Sequence, residues 1–559
     1  MKRFFTMIIA LFMTLSFSLS LTACDNKANA VDELVVYNWA DYIYDYEDDF
    51  KEYYKSITGK NIKVTYVTFD TNETMITKIT KGDSRVDVMC PSEYAIQKLM
   101  QMDWLIPLNY FSDDVNDFID TNSLLHKENY VHNSVNVENQ IYETISSSFS
   151  DITCVSRKDG SEYSANMIDY MVPYMYGTLG ILYNKEKFKE LGIYDPEILN
   201  TANWGILFND SGRGVDENGN KIPLSDGLKG SILLKDSIRD TYAATLFYLM
   251  ESGKLDGMTA EDGREYSEMT ANELINCVDD NILDLCKEVL VDLKSELFGY
   301  EVDFGKDDLL QGNAYVDLAW NGDAIYAVEE SWNDELNDGE GDYELAYYVP
   351  HSYGNIWFDG WVIPQTYNPS HATAIKLFIN FLNSPYVASQ NIMEIGYTPA
   401  VSADSIKNDH DALAVLAEGY IVNAPEYYEF SEEELLEIND GEYDFESMDE
   451  FIEYFFNNSY DDGSSYDEIG NCNWRYPFEI TEGEFDYKRE LSDLGTMRDF
   501  QDKNKDVVVM WNYVRSAGVN AMPVFMITVG AIGATVGVIS FICYIDRRKK
   551  LFKKVKKAS

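Results

Sequence analysis

An α/β protein of two lobes is what the sequence predicts, and three observations carry that expectation. The chain has 559 residues, and a single hydrophobic core rarely grows past about 250–300 residues before a chain divides. Short β-branched runs alternate with helical stretches at the spacing of βαβ units. The composition is 45% apolar and 14% aromatic. That supports a large core and excludes an acidic disordered polymer, in spite of a formal charge of −52.

Glu33 to Asn38 (ELVVYN) reads as a buried strand, and Ile62 to Val67 (IKVTYV) as a second with alternating faces, with a helix over Tyr42 to Ile57 between them. Arg85 to Met89 reads as a third strand and Glu93 to about Met102 as a helix. This order predicts a parallel sheet. A second series follows: strands at Gly180–Tyr183, Gly230–Leu234, Val316–Trp320 and Leu345–Val349, and helices at Ile238–Glu251 and Ala372–Leu382. Three stretches read as insertions. His126 to Ala165 is polar. Phe208 to Asp226 contains the turn signal Asp216-Glu217-Asn218-Gly219-Asn220, where Lys221 takes the glycine position that a calcium-binding EF-hand loop needs. Glu426 to Gly470 is dense in acids without Lys or Arg; Ser431/Glu434 and Ser447/Glu450 fit capping boxes, so two short helices on an acidic appendage are expected.

Both ends carry targeting signals. Lys2 and Arg3 precede an uncharged apolar run from Phe4 to Ala23, the pattern of a secretory signal (residues 1–23). It closes on Leu21-Thr22-Ala23-Cys24, which resembles a bacterial lipobox and implies cleavage before Cys24 and a lipid on its sulfur. Ala521 to Ile545 lacks any charge and is long enough for a transmembrane helix, since about 20 apolar residues span a bilayer. The tail 546–559 is rich in Lys and Arg, which marks its cytoplasmic side. The body between is expected outside the cell, anchored to the membrane.

That body is more acidic still, because all but one of the charged residues removed with the two ends are basic. No basic footprint remains for nucleic-acid phosphate, and a cation is the expected partner. Cys90, Cys154, Cys277, Cys286 and Cys472 form no CxxC pair, and their odd number leaves at least one thiol unpaired within the chain. GxSxG, Walker A, HExxH and GxGxxG patterns are missing, and the five histidines are scattered. No enzyme, metal or cofactor is expected. What stands out is Trp and Tyr beside Asp near expected strand ends: Tyr37-Asn38-Trp39-Ala40-Asp41-Tyr42, Pro91-Ser92-Glu93-Tyr94, Trp320-Asn321-Gly322-Asp323 and Trp357-Phe358-Asp359. An alkyl ammonium needs a carboxylate for its charge and a π-face for its methylenes, and ligands of open α/β sheets bind beyond strand C-termini.

These segments resemble the substrate-binding proteins of spermidine/putrescine ABC transporters. The matching pieces are VVYNWADYI (35–43), TNETMITKI (71–79), VDVMCPSEYAIQKL (86–99), VPYMYGTLGILYN (172–184), KGSILLKDSIRD (229–240), VDLAWNGDAIYA (316–327), IWFDGWVIP (356–364) and IGYTPAV (395–401). The resemblance implies a two-lobed periplasmic-binding-protein fold of type II with mixed central sheets. Lobe 1 would comprise 31–168 and about 360–405, and lobe 2 would comprise 169–359, completed by 406–515 with the appendage 426–470. It further implies that Trp39 and Tyr42 line a cleft, that Ser92 and Tyr94 enter it after the third strand, and that Trp320 and Trp357 sandwich a methylene chain. Asp359 would hold one ammonium, Asp41 and Asp323 a second, and Tyr397 would close a wall. The family acid in KDSIRD is replaced by Ser237, leaving Asp236 and Asp240 as neighbours, of which Asp240 is taken as a ligand contact. The implied partners are putrescine or spermidine and an ABC permease. A sensor coupled to a membrane partner, or a binding protein for an amino acid or a sugar, is the alternative.

Overall fold

The structure is a computed structural model that describes residues 31–82, 85–108, 145–191, 204–209, 228–302, 304–331, 344–350, 353–401, 403–420 and 494–517. The leader with Cys24, the loop 210–227, the acidic stretch 426–470, Cys472 and the expected span 521–545 lie outside the described residues. Among the described residues no helix is long and apolar enough to cross a membrane.

The strands are β1 (Asp32–Asn38), β2 (Ile62–Thr68), β3 (Val88–Met89), β4 (Ile152–Val155), β5 (Glu162–Ala165), β6 (Met171–Asn184), β7 (Ile232–Lys235), β8 (Leu297–Glu301), β9 (Val316–Trp320), β10 (Leu345–Tyr348), β11 (Gly354–Val362), β12 (Thr398–Pro399) and β13 (Leu494–Gly495). All but the β4–β5 hairpin join one sheet in the order β2-β1-β3-β11-β6-β9-β7-β8, with β10 and β12 on β6 and β13 on β11. β1 runs parallel to β2 and β3, and β7 parallel to β8 and β9. Between these parallel flanks, β6 is antiparallel to both β11 and β9. The sheet is therefore mixed and not the parallel sheet that βαβ spacing alone predicts. All 14 residues of β6 are buried, so it has no polar alternation from which strand direction could be read.

β6 also ties the architecture together. Its first half pairs with β11 and β12, and its second half lies between β9 and β10. Three large clusters form on this frame. One joins Phe50, Tyr174, Trp361 and Phe378, a second gathers Trp204, Phe247, Leu318 and Val514, and a third holds Met89, Leu99, Met171 and Phe358. The stretch expected to complete the second lobe divides between them. Ala403, Ile406 and Leu416 pack in the first cluster, whereas Met497, Val507 and Val514 pack in the second.

Helices Ile238–Glu251 and Ala372–Leu382 and strand Val316–Trp320 form over the expected residues. The first helix is shorter than expected and runs from Glu47 to Thr58. Glu47, Asp48 and Asp49 fill its first turn, where the helix dipole favours anions. Residues 42–46 stay irregular because Asp41 has φ of 45°, a left-handed conformation that turns the chain, and Tyr42, Tyr44 and Tyr46 bury their rings in the first cluster.

Candidate functional site

The parallel strands deliver their C-terminal ends to one region. Trp39, Asp41 and Tyr42 follow β1, Ser92 follows β3, and Asp240 opens the helix after β7; Trp320 ends β9, with Asp323 in the helix Asn321–Ser331 that continues it. Trp357 and Asp359 depart from the expected strand-end position: both lie inside β11. They reach the same region because the register of β11 against β6 shifts between Asp359 and Gly360, a bulge of the kind that re-aims a side chain, and because Asp359 makes an isolated bridge to Ser92.

Four of the expected residues meet around the carboxylate of a fifth, Asp359. Tyr42 lies edge-on to Tyr397, with ring centroids 4.9 Å apart, and Tyr397 edge-on to Trp357 at 5.8 Å. Ser92 is the N-cap of helix Glu93–Gln101 but spends no side-chain hydrogen bond on it. Its hydroxyl instead accepts from Asn72 Nδ2 at 3.1 Å and lies beside Asp359. Asp359 is 6% exposed, and its Oδ1 is buried without a hydrogen-bond partner among the described residues. Burial pushes its pKa up to about 7, against the opposing pull of the Ser92 and Tyr42 hydroxyls. A buried carboxylate oxygen without a partner is costly in its ionised form, which is the physical cause of the raised pKa.

Two further groups adjoin it. Trp320 Nε1 donates to Asp240 Oδ1 at 3.3 Å, and Ser237 caps the same helix by accepting from the Asp240 amide. Asp240 is buried, which raises its pKa, and it adds to the upward shift of Asp359. Asp236 points elsewhere, to an ion pair with Arg515 at 2.8 Å. Tyr94 accepts from Asn72 Nδ2 at 2.9 Å, and the Arg239 guanidinium lies 4.8 Å from its ring centroid and 3.6 Å from that of Phe500. In the other group Asp323 accepts from Lys306 Nζ at 3.1 Å, with Lys235 Nζ 3.9 Å from its second oxygen. Lys235 also sits 4.4 Å from the Trp320 ring centroid. Asp41 is exposed, and Trp39 packs on Phe69 at 4.4 Å.

Sequence reasoning missed Glu93, Arg239, Lys235 and Lys306. Glu93 is 1% exposed; one of its oxygens accepts from the Phe358 amide at 3.1 Å and the other has no hydrogen-bond partner among the described residues. Burial pushes its pKa up to about 8. Its signal in the sequence is its place between Ser92 and Tyr94. Cys90, Cys154, Cys277 and Cys286 are free and buried, and no metal-binding group of His, Cys, Asp and Glu occurs among the described residues.

Glycines set the closeness of the walls. A Cβ at Gly177 of β6 would strike the Asn321 side chain and the Trp357 ring, and one at Gly322 would enter the Tyr397 ring. Gly177→Ala is therefore expected to cost about 1–3 kcal/mol of stability and to displace Trp357. Urea unfolding checks the first effect and loss of tryptophan fluorescence response to ligand the second.

Residues 1–222 match the model of a family of hypothetical lipoproteins (MG045 family). The putrescine-binding periplasmic protein SpuD of Pseudomonas aeruginosa is 25% identical over 73% of this chain and 89% of its own. The spermidine/putrescine-binding periplasmic protein of Salmonella typhimurium is 24% identical over 69% of this chain and 83% of its own. Among solved structures, the spermidine/putrescine ABC transporter substrate-binding protein PotD of Streptococcus pneumoniae aligns with a TM-score of 0.41 and 26% identity, covering 68% of this chain and 88% of that one. The Tp0655 lipoprotein of Treponema pallidum aligns with a TM-score of 0.48 and 14% identity, covering 86% of this chain and 99% of that one. By sequence, the chain is similar to the bacterial spermidine/putrescine-binding proteins over most of its length.

Proposed function

We propose that this chain is an extracellular, membrane-anchored solute-binding protein that captures putrescine or spermidine and delivers it to an ABC permease. The observation that carries the reading is Asp359: a buried carboxylate with one unpartnered oxygen, beside the Ser92 and Tyr42 hydroxyls and close to the Trp357 and Tyr397 rings. A primary ammonium supplies three donors and a charge to that oxygen, and its methylenes suit the aromatic walls. The curated relatives are named as binding proteins, which supports capture without chemistry. The lipid on Cys24, the span 521–545 and the division into lobes that close on the ligand belong to the same proposal.

The chemistry dictates a pH dependence. A cation binds the ionised Asp359, which burial holds protonated up to about pH 7. Affinity for putrescine should fall as pH drops below that value, approaching about tenfold per pH unit, and binding near pH 7 should release a proton. Isothermal titration of the purified full chain between pH 5.5 and 8 checks this. Affinity that is flat across that range would refute a role for Asp359 as the ammonium acceptor.

A further inference from the structure

Asp323 is the acid that, by resemblance, would receive the second ammonium of a diamine, and it is already occupied. Lys306, from the short helix Gly305–Leu310, reaches it at 3.1 Å. Lys306 is largely buried and its charge is favoured by Asp323 and also by Asp41, the other acid assigned to that ammonium. Its Nζ lies 5.4 Å from the Tyr326 ring centroid, so it has the carboxylate and the π-face that a ligand ammonium would seek. Lys235 completes the arrangement from behind. It contacts Glu301, lies 3.9 Å from both Asp317 and Asp323, and covers the Trp320 ring. Burial raises the pKa of Asp317, with Lys235 opposing the shift. Glu301 and Asp323 are thus each already paired with a lysine ammonium. At the Asp359 end the opposite holds: no lysine is paired with that carboxylate among the described residues, and one of its oxygens is unpartnered.

Resting on the amine-binding reading above, we infer that Lys306 is a specificity-determining residue: a tethered ammonium that fills the second cation place, so that the cleft engages its ligand through a single ammonium at Asp359. A diamine then gains little from its far charge, because it must displace Lys306 or leave that end unpaired. The cleft is thereby suited to amines charged at one end, such as a diamine acylated on its other nitrogen, as much as to the free diamine.

The test is calorimetric titration of the purified full chain, its Lys306→Met and Lys306→Arg variants and Asp359→Asn, each with putrescine and with N-acetylputrescine. The wild-type chain should bind the two within about threefold of each other. Lys306→Met should open a preference for putrescine of about tenfold or more, while affinity for N-acetylputrescine stays within about twofold. Lys306→Arg, which keeps the charge, should behave as wild type. A merely structural lysine would not change the ratio of the two affinities, and matching melting temperatures establish that each variant is folded. A wild-type preference for putrescine above tenfold that Lys306→Met leaves unchanged would overturn the inference and leave the amine cleft standing. Failure of every chain to bind either amine, or undiminished binding by Asp359→Asn, would overturn the amine cleft and this inference with it.

Discussion

Asp359→Asn should abolish amine binding and, in the unliganded chain, raise the melting temperature. Both effects follow from the same burial. The carboxyl is held at about 7 against its ordinary 3.8, so the native state keeps a proton that the unfolded chain has lost between those two values. Stability contributed by this group therefore falls as pH rises through that window and is lowest above pH 7, by about 4 kcal/mol if the whole shift is expressed. Asn has similar shape, carries no charge to desolvate, and can donate to its surroundings. The variant should melt several degrees higher than the wild-type chain at pH 8 and show a smaller gain at pH 4. Affinity for putrescine should fall by two orders of magnitude or more, since a buried charge partner is lost (about 3–5 kcal/mol). Scanning calorimetry at the two pH values, with and without putrescine, reads stability and binding in one series. A variant that melts lower at pH 8 would show that the carboxylate is satisfied within the unliganded protein.

Lys235→Met should destabilise the chain by about 3–5 kcal/mol, the range for breaking a buried ion pair from one side. Lys235 and Glu301 are almost fully buried. Burial disfavours the lysine charge, but Glu301, Asp317 and Asp323 outweigh it and hold the Lys235 pKa above its ordinary value. The methionine leaves Glu301 without its ammonium and Asp323 with Lys306 alone. Urea unfolding at pH 7.5 measures it. A deficit below about 1 kcal/mol at pH 7.5 would mean that water already reaches the cage.

The sequence made the α/β class and most elements legible because they rest on local pattern. Ile238–Glu251 has a capping serine at its start and Val316–Trp320 is apolar but for Asp317, and both form over the expected residues. The central mixed sheet was illegible from periodicity, since β6 is buried along its full length. At the site, Tyr42, Ser92, Trp357 and Tyr397 converge around the Asp359 carboxylate. What sequence could not reveal was internal neutralisation. Lys306 lies 17 residues from Asp323 along the chain, and Lys235 and Glu301 come together only because β7 and β8 pair in parallel with Lys235 opposite Glu301. Pairings of that kind depend on tertiary register and leave no mark on spacing.

A cation meeting Asp359 is the central event of capture, and its most direct measurement is titration of the full chain with putrescine in two buffers of different ionisation enthalpy, at pH 6.5 and at two salt concentrations. One-to-one binding that survives moderate salt, releases a substantial fraction of one proton, and loses both features in Asp359→Asn is the predicted result. Weak multi-site heats that vanish with salt and release no proton would contradict it, because they would mean that the acidic surface merely condenses cations.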